Sequence, residues 1–352
     1  MRVCVLHGAH DLRLEDRPDP ALGPGQVRLG FGAGGICGSD LHYYYEGAVG
    51  DFRVREPLIL GHEMAGEVIE LGDGVDALRV GQRVAVNPSL PCRRCPGCRD
   101  GRTNLCRRMT FFGSAAVFPH VQGAFQERLV VEASQCCPVP GTVPAGLAAM
   151  AEPLAVCLHA VARAGPLVGR DVLIAGGGPI GQLTLLAARH GGAARVTMLD
   201  LAEAPLRMAA RLGADAALHV QDDARSIERL KADKGQIDVA FEASGNAGGL
   251  ESCIEVTRPG GRIVQIGMFP PAPVPVLVNR LVGKELDLMG SFRFHDEFEI
   301  AVGLIASGRI DVAPLLTAQL PMAERDEAFG LAKDRSRAMK VQLIVDRPRP
   351  GA

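Results

Sequence analysis

The rhythm of hydrophobic and polar positions changes near residue 170. Before it, short runs such as QVRLGFG and MAGEVIELG alternate apolar and polar residues between Gly- and Pro-rich turns. That is the pattern of half-buried strands, and it predicts a β-rich domain over residues 1 to about 145. From DVLIAGGG at residue 171, apolar runs (VTMLD, IDVAFEASG, RIVQIGM) alternate with helical stretches (QLTLLAARH, PLRMAARLG). This second rhythm predicts βαβ units and hence a doubly wound α/β domain with a parallel sheet. After about residue 285, GSFRFHDEFEIAVGLIASGRI predicts a helix and MKVQLIVD a strand that rejoins the first domain, while the tail RPRPGA is expected to fray.

Length agrees with two domains, since one core rarely grows past ~250 residues and the chain has 352. With 47% apolar and 22% charged residues the composition is globular, and a formal charge of −2 gives no reason to expect nucleic acid or an anionic membrane as partner. The first residues lack the apolar run of a signal peptide, and no stretch of 18 uncharged apolar residues occurs, so a cytoplasmic protein is expected. In that reducing compartment the ten cysteines point to metal rather than to disulfides.

Four of them, Cys92, Cys95, Cys98 and Cys106, stand as C-x2-C-x2-C-x7-C in a segment with little apolar content. Four thiolates suit tetrahedral zinc, which can hold a loop that has no core of its own. An iron–sulfur cluster would place three rather than seven residues before the last cysteine, and a nucleic-acid-binding zinc ribbon would carry a basic balance. Gly176, Gly178 and Gly181 form G-x-G-x-x-G after the strand VLIA, with Pro179 and Ile180 opening the following helix. Asp200 ends the next strand, where an acid bonds ribose hydroxyls and repels a 2′-phosphate, so NAD is expected over NADP. Cys37, His62, Glu63 and Glu152 supply the donors of a second, open metal site, and Glu152 is the only acid in the apolar run GLAAMAEPLAVCLHAVARAG.

The set GGICGSDLH, GHE, the four-cysteine loop, AEPLAV and GGGPIG, in this order, resembles the zinc-dependent medium-chain alcohol and polyol dehydrogenases over essentially the whole chain. The resemblance implies a β-rich GroES-like catalytic domain from both ends of the chain (1–152 and 290–352) around a Rossmann coenzyme domain (153–289). It implies one catalytic and one structural zinc, with Cys37, His62 and a glutamate at the former; which of Glu63 and Glu152 binds directly stays open. Simple alcohol dehydrogenases carry cysteine where Glu152 stands, which points to the polyol branch. The resemblance further implies a proton relay through Ser39 and His42, a second-shell role for Asp40 on the His62 ring, and a substrate pocket from Tyr44, Phe112, Phe292 and Arg293. The expected reaction is hydride transfer between a nicotinamide coenzyme and a sugar acid, in a homo-oligomer of two or four chains. The alternatives are a neutral polyol such as sorbitol or xylitol, or a non-catalytic nucleotide-binding protein of the same fold.

Overall fold

The computed structural model describes residues 1–345; the expectation for the tail at 347–352 lies outside them. Two units emerge. The first comprises Met1–Glu152, Phe298–Asp334 and the stretch from Lys340 onward, and the second comprises Pro153–Glu297 with Arg335–Met339.

In the first unit the alternating runs form strands as their period predicts. Gln26–Gly35 pairs antiparallel with Glu63–Leu71 and with Arg128–Glu132 in a seven-stranded sheet. The C-terminal strand Lys340–Ile344 enters the same sheet, with Gln342 opposite Gly35 and Ile344 opposite Ala33. Three hundred residues of intervening sequence thus close on the strand that leads to Cys37. Arg2–Gly8, Asp11–Asp16 and Leu58–Ile59 form a small three-stranded sheet, the last strand three residues before His62.

The second unit is a six-stranded parallel sheet in which the strands, numbered by sequence from Asp171–Ala175, lie in the order 3-2-1-4-5-6. Its first strand is apolar on both faces because both are covered. Val172 and Ile174 pack with Leu185 and Ala188 of the helix Pro179–His190, and Leu173 and Ala175 with Leu250 and Ile254 of the helix Ala247–Val256. The strand order reverses between Asp171–Ala175 and Ile237–Glu242, and ligands of such sheets bind outside the carboxyl ends at that switch. The glycine loop begins there. Lys284 is 7% exposed and donates to the carbonyls of Ile254, Glu255 and Thr257, so an ammonium closes the C-terminal end of the helix Ala247–Val256.

The run Ala145–Ala164 is long and apolar enough to cross a membrane, yet 67% of it is buried inside the protein, as in a core helix. Glu152 lies in the first turn of its main segment, Ala151–Ala164.

Candidate functional site

The four cysteines of the 92–106 segment converge, with sulfurs within 4.8 Å of one another and none in a disulfide. Cys95 is the N-cap of the short helix Pro96–Arg99, whose first position takes Pro96 because its missing N–H is not needed there. Cys106 Sγ accepts the backbone N–H groups of Cys92 (3.2 Å) and Arg108 (3.3 Å). Hydrogen bonds from the backbone of Cys98 and Arg107 lower the Cys95 thiol to about 6, whereas desolvation and the adjacent sulfurs push Cys98 up to about 12. Four thiols this close cannot all ionise without a cation between them. The donor set fits a closed, structural zinc site.

Cys37, His62 and Glu63 also bring one donor atom each within 4.8 Å of the others. Cys37 ends the strand Gln26–Gly35 region as N-cap of the helix Gly38–Glu46. His62 and Glu63 enter the neighbouring strand Glu63–Leu71, opposite Gly35. Asp40, fully buried, accepts the N–H of Cys37 (2.9 Å) and of Gly61 (3.1 Å), tying together the two backbone segments that carry the cysteine and the histidine. Its Oδ1 stands 3.8 Å from His62 Nδ1, too far for the ring hydrogen bond expected of it. As the third residue of the helix, Asp40 is turned back onto the N-cap.

Glu63 is 1% exposed, and its Oε1 accepts from Lys340 Nζ at 2.6 Å. Lys340 also donates to Ile36 O (3.1 Å). Burial works against the lysine charge, but Glu63 and Cys37 outweigh it and hold its pKa above the usual value. A Cβ on Gly35 would meet Glu63 Oε2 at 1.9 Å, so only glycine lets this carboxylate lie against the strand. Glu152 is 4% exposed, and burial pushes its carboxyl up to about 8, with His62 opposing and Glu63 reinforcing the shift. Burial, with Glu63 adding to it, takes the Cys37 thiol up to about 11. A thiol and a nearby buried carboxyl, Cys37 and Glu152, that resist ionisation are what a divalent ion would relieve, so the Cys37, His62 and Glu63 donors fit zinc.

In the second unit, a Cβ on Gly181 would stand 1.8 Å from Gly176 O, which fixes glycine where helix meets loop. Gly178 is the N-cap of the helix Pro179–His190, with Pro179 in its first turn and the half-buried Ile180 after it. Asp200 accepts from Gly177 N (2.6 Å) and Ala202 N (2.9 Å), so it braces the glycine loop as well as ending its strand. Two participants were not visible in the sequence pattern. Arg335 lies over the loop, its Nη1 3.3 Å from a Cβ placed on Gly178. Glu242, fully buried at the end of the fourth strand, accepts from Ser244 N (2.8 Å) and Gln265 Nε2 (2.5 Å) and so holds the loops on either side.

The remaining expected residues are distributed as follows. Ser39 lies half-buried in the first turn of the helix Gly38–Glu46, and the exposed His42 bonds Glu46 through Nδ1 (2.9 Å). Tyr44 packs on His10, Tyr45 and Phe329. Tyr43, one helical turn beyond Ser39, is instead the tyrosine whose hydroxyl accepts from Ala115 N (3.0 Å), in the loop that follows Phe111 and Phe112. Phe111, not Phe112, packs on the His62 ring, at 5.3 Å between centroids; Phe112 is half-buried and donates its N–H to Pro88 O. Phe292 is 43% exposed in the second unit, with the Arg293 guanidinium 4.9 Å above its ring. Arg293 has left-handed backbone at φ 54°.

A sheet unit with a cysteine–histidine–glutamate cluster and a closed four-cysteine loop, in one chain with a glycine-loop Rossmann unit, defines a zinc-dependent dehydrogenase of the nicotinamide class. Residues 23–141 match the alcohol dehydrogenase GroES-like domain and residues 179–307 the zinc-binding dehydrogenase domain. The chain belongs to the zinc-binding alcohol dehydrogenase family. It is 46% identical to L-idonate 5-dehydrogenase (NAD(P)(+)) of Escherichia coli K12, over 88% of this chain and 89% of that one. It is 38% identical to a sorbitol dehydrogenase of Gallus gallus over 97% and 96%. The crystal structure of L-idonate 5-dehydrogenase from Escherichia coli superposes with a TM-score of 0.93, at 42% identity and 97% coverage of both chains.

Proposed function

We propose that the chain interconverts L-idonate and 5-keto-D-gluconate, with NAD as the favoured hydride acceptor and NADP as a second, as a cytoplasmic dimer or tetramer. The observation that carries this reading is the convergence of Cys37, His62 and Glu63 in a chain 46% identical to an enzyme named for that substrate.

In this reading Cys37, His62 and Glu63 would hold the catalytic zinc, with the buried acid Glu152 within electrostatic reach of all three, while Cys92, Cys95, Cys98 and Cys106 would hold the structural one. Zinc supplies Lewis acidity, which eases loss of a hydroxyl proton near neutral pH. Ser39 receives that proton and His42, paired with Glu46 at the surface, releases it to solvent. The N–H groups at the helix N-terminus, those of Gly178, Ile180 and Gly181, bind the pyrophosphate with Arg335, and Asp200, which also braces Gly177 N, binds the ribose. Arg293, whose guanidinium stands over the Phe292 ring, anchors the substrate carboxylate with two parallel hydrogen bonds.

Initial rates with L-idonate, D-gluconate, sorbitol and xylitol, each against NAD and NADP and with a chelator control, test the assignment. The highest kcat/KM is expected with L-idonate, and chelation should abolish it. A preference for sorbitol would move the chain to the polyol reading that the Gallus gallus relative represents. No turnover of any alcohol would leave a non-catalytic nucleotide-binding protein. Arg293→Ala is expected to raise KM for L-idonate roughly 10- to 100-fold and to leave sorbitol nearly unchanged, the loss of a charged hydrogen-bond pair. An equal rise for both would remove the carboxylate role.

A further inference from the structure

One cluster of metal-binding side chains in the second unit takes no part in the reaction above. His159, His295 and Glu297 bring one donor atom each within 4.8 Å of the others. His159 projects from the helix Ala151–Ala164 and is 6% exposed; Glu297 begins the helix Glu297–Ala306 and is 7% exposed. His159 Nδ1 lies 2.9 Å from Glu297 Oε1, and His295 Nε2 lies 3.8 Å from the same oxygen. The two imidazoles meet edge to face, 5.1 Å between centroids.

The surroundings orient each donor. Glu297 Oε2 accepts the backbone N–H of His295 (2.9 Å), which turns Oε1 toward the rings. Burial opposes the charged carboxylate, but the hydrogen bonds from His159 and from the His295 backbone outweigh it and hold Glu297 at about 2. His295 Nδ1 makes no hydrogen bond, although Asp296 Oδ2 stands 3.3 Å away.

We propose that His159, His295 and Glu297 form a third metal site, for a late first-row divalent ion such as zinc, cobalt or nickel. Two imidazoles and a carboxylate are the donors these ions favour over magnesium or calcium. Around a tetrahedral ion with bonds of about 2.0–2.1 Å the donors sit roughly 3.3 Å apart, and the observed separations of 2.9 and 3.8 Å bracket that spacing. A proton bridging His159 and Glu297 would leave His295 Nε2 out of hydrogen-bond reach of the shared oxygen, whereas an ion engages all three. With three protein donors the fourth position is open to water.

Such an ion fastens the segment carrying Phe292 and Arg293 to the helix Ala151–Ala164, and so steadies the left-handed turn at Arg293. Its role is positional, and it stands whatever alcohol the enzyme oxidises.

The test is a count of tightly held metal in the full chain, by elemental analysis after loading with zinc and exhaustive dialysis. About three equivalents per chain are expected, falling to about two in His295→Gln and in Glu297→Gln, with both cysteine-containing sites retained. Cobalt substitution reads the latter directly: its sulfur charge-transfer absorption should be unchanged in both variants, since the third site carries no thiolate. His295 has a quarter of its side chain exposed, and Glu297→Gln keeps the shape of the buried group, so the pair guards against a folding defect in either. About two equivalents in the unmodified chain, or the same count in the chain and both variants, would overturn the proposal.

Discussion

Lys340→Met is expected to destabilise the chain by roughly 3–5 kcal/mol, because it leaves the carboxylate of Glu63 charged, buried and without its ammonium. Lys340 is 3% exposed and Glu63 1%, so water cannot take the place of the missing partner. At ~2–4 °C per kcal/mol for a unit of this size, the thermal midpoint of chelator-treated protein should fall by roughly 6–20 °C. Chelation matters, since a bound ion would neutralise Glu63 in its own way. Adding Glu63→Gln to Lys340→Met should restore most of the loss, as the uncompensated charge is then gone. A single variant that melts with the parent would show that the pair contributes nothing to the fold.

The second large effect concerns the four-cysteine loop. Among the described residues between 90 and 110, Cys106 is the only buried apolar side chain. The segment has no core to fall back on, and the sulfur cluster is what fixes it. Cys106→Ser is expected to lower bound zinc by about one equivalent and to open the loop. Six arginines, from Arg93 to Arg108, punctuate that loop, so trypsin should cut the variant there at least ~10-fold faster than the parent. Unchanged zinc content together with unchanged trypsin resistance would refute a metal role for this cysteine.

Much of the architecture was legible because it is written in local spacing. The change from period-two runs to alternating strands and helices marks the parallel sheet, and G-x-G-x-x-G with Asp200 one strand later sits at its switch point. Four cysteines within fifteen residues need no tertiary information to be read as one site. Cys37, His62 and Glu63 were readable as metal donors by type, and the family resemblance strengthened their grouping, since nothing local says that a strand end and the start of its neighbour lie side by side. What stayed hidden depends on partners remote in sequence. Lys340 reads as one lysine in an apolar strand until the register Gln342–Gly35 places it beside Glu63. His159 looks like a helix residue until the FHDEF turn meets it. The three tyrosines were separable in principle. Helical spacing puts Tyr43, not Tyr44, on the face of Ser39, and Tyr43 is the one bonded to the loop at Ala115.

The strand from Lys340 to Ile344 has a consequence for how the protein is made. Its lysine meets Glu63 across 277 positions of sequence, whereas the four-cysteine cluster closes across fourteen, from Cys92 to Cys106. During synthesis the cysteine loop can take up its ion while most of the chain is still untranslated. The cluster at Cys37, His62 and Glu63 must wait until residue 340 has been made before its counter-charge arrives. A chain terminated before Lys340 would therefore retain the structural centre and lack a finished catalytic one, so translation itself orders the two metal-loading events.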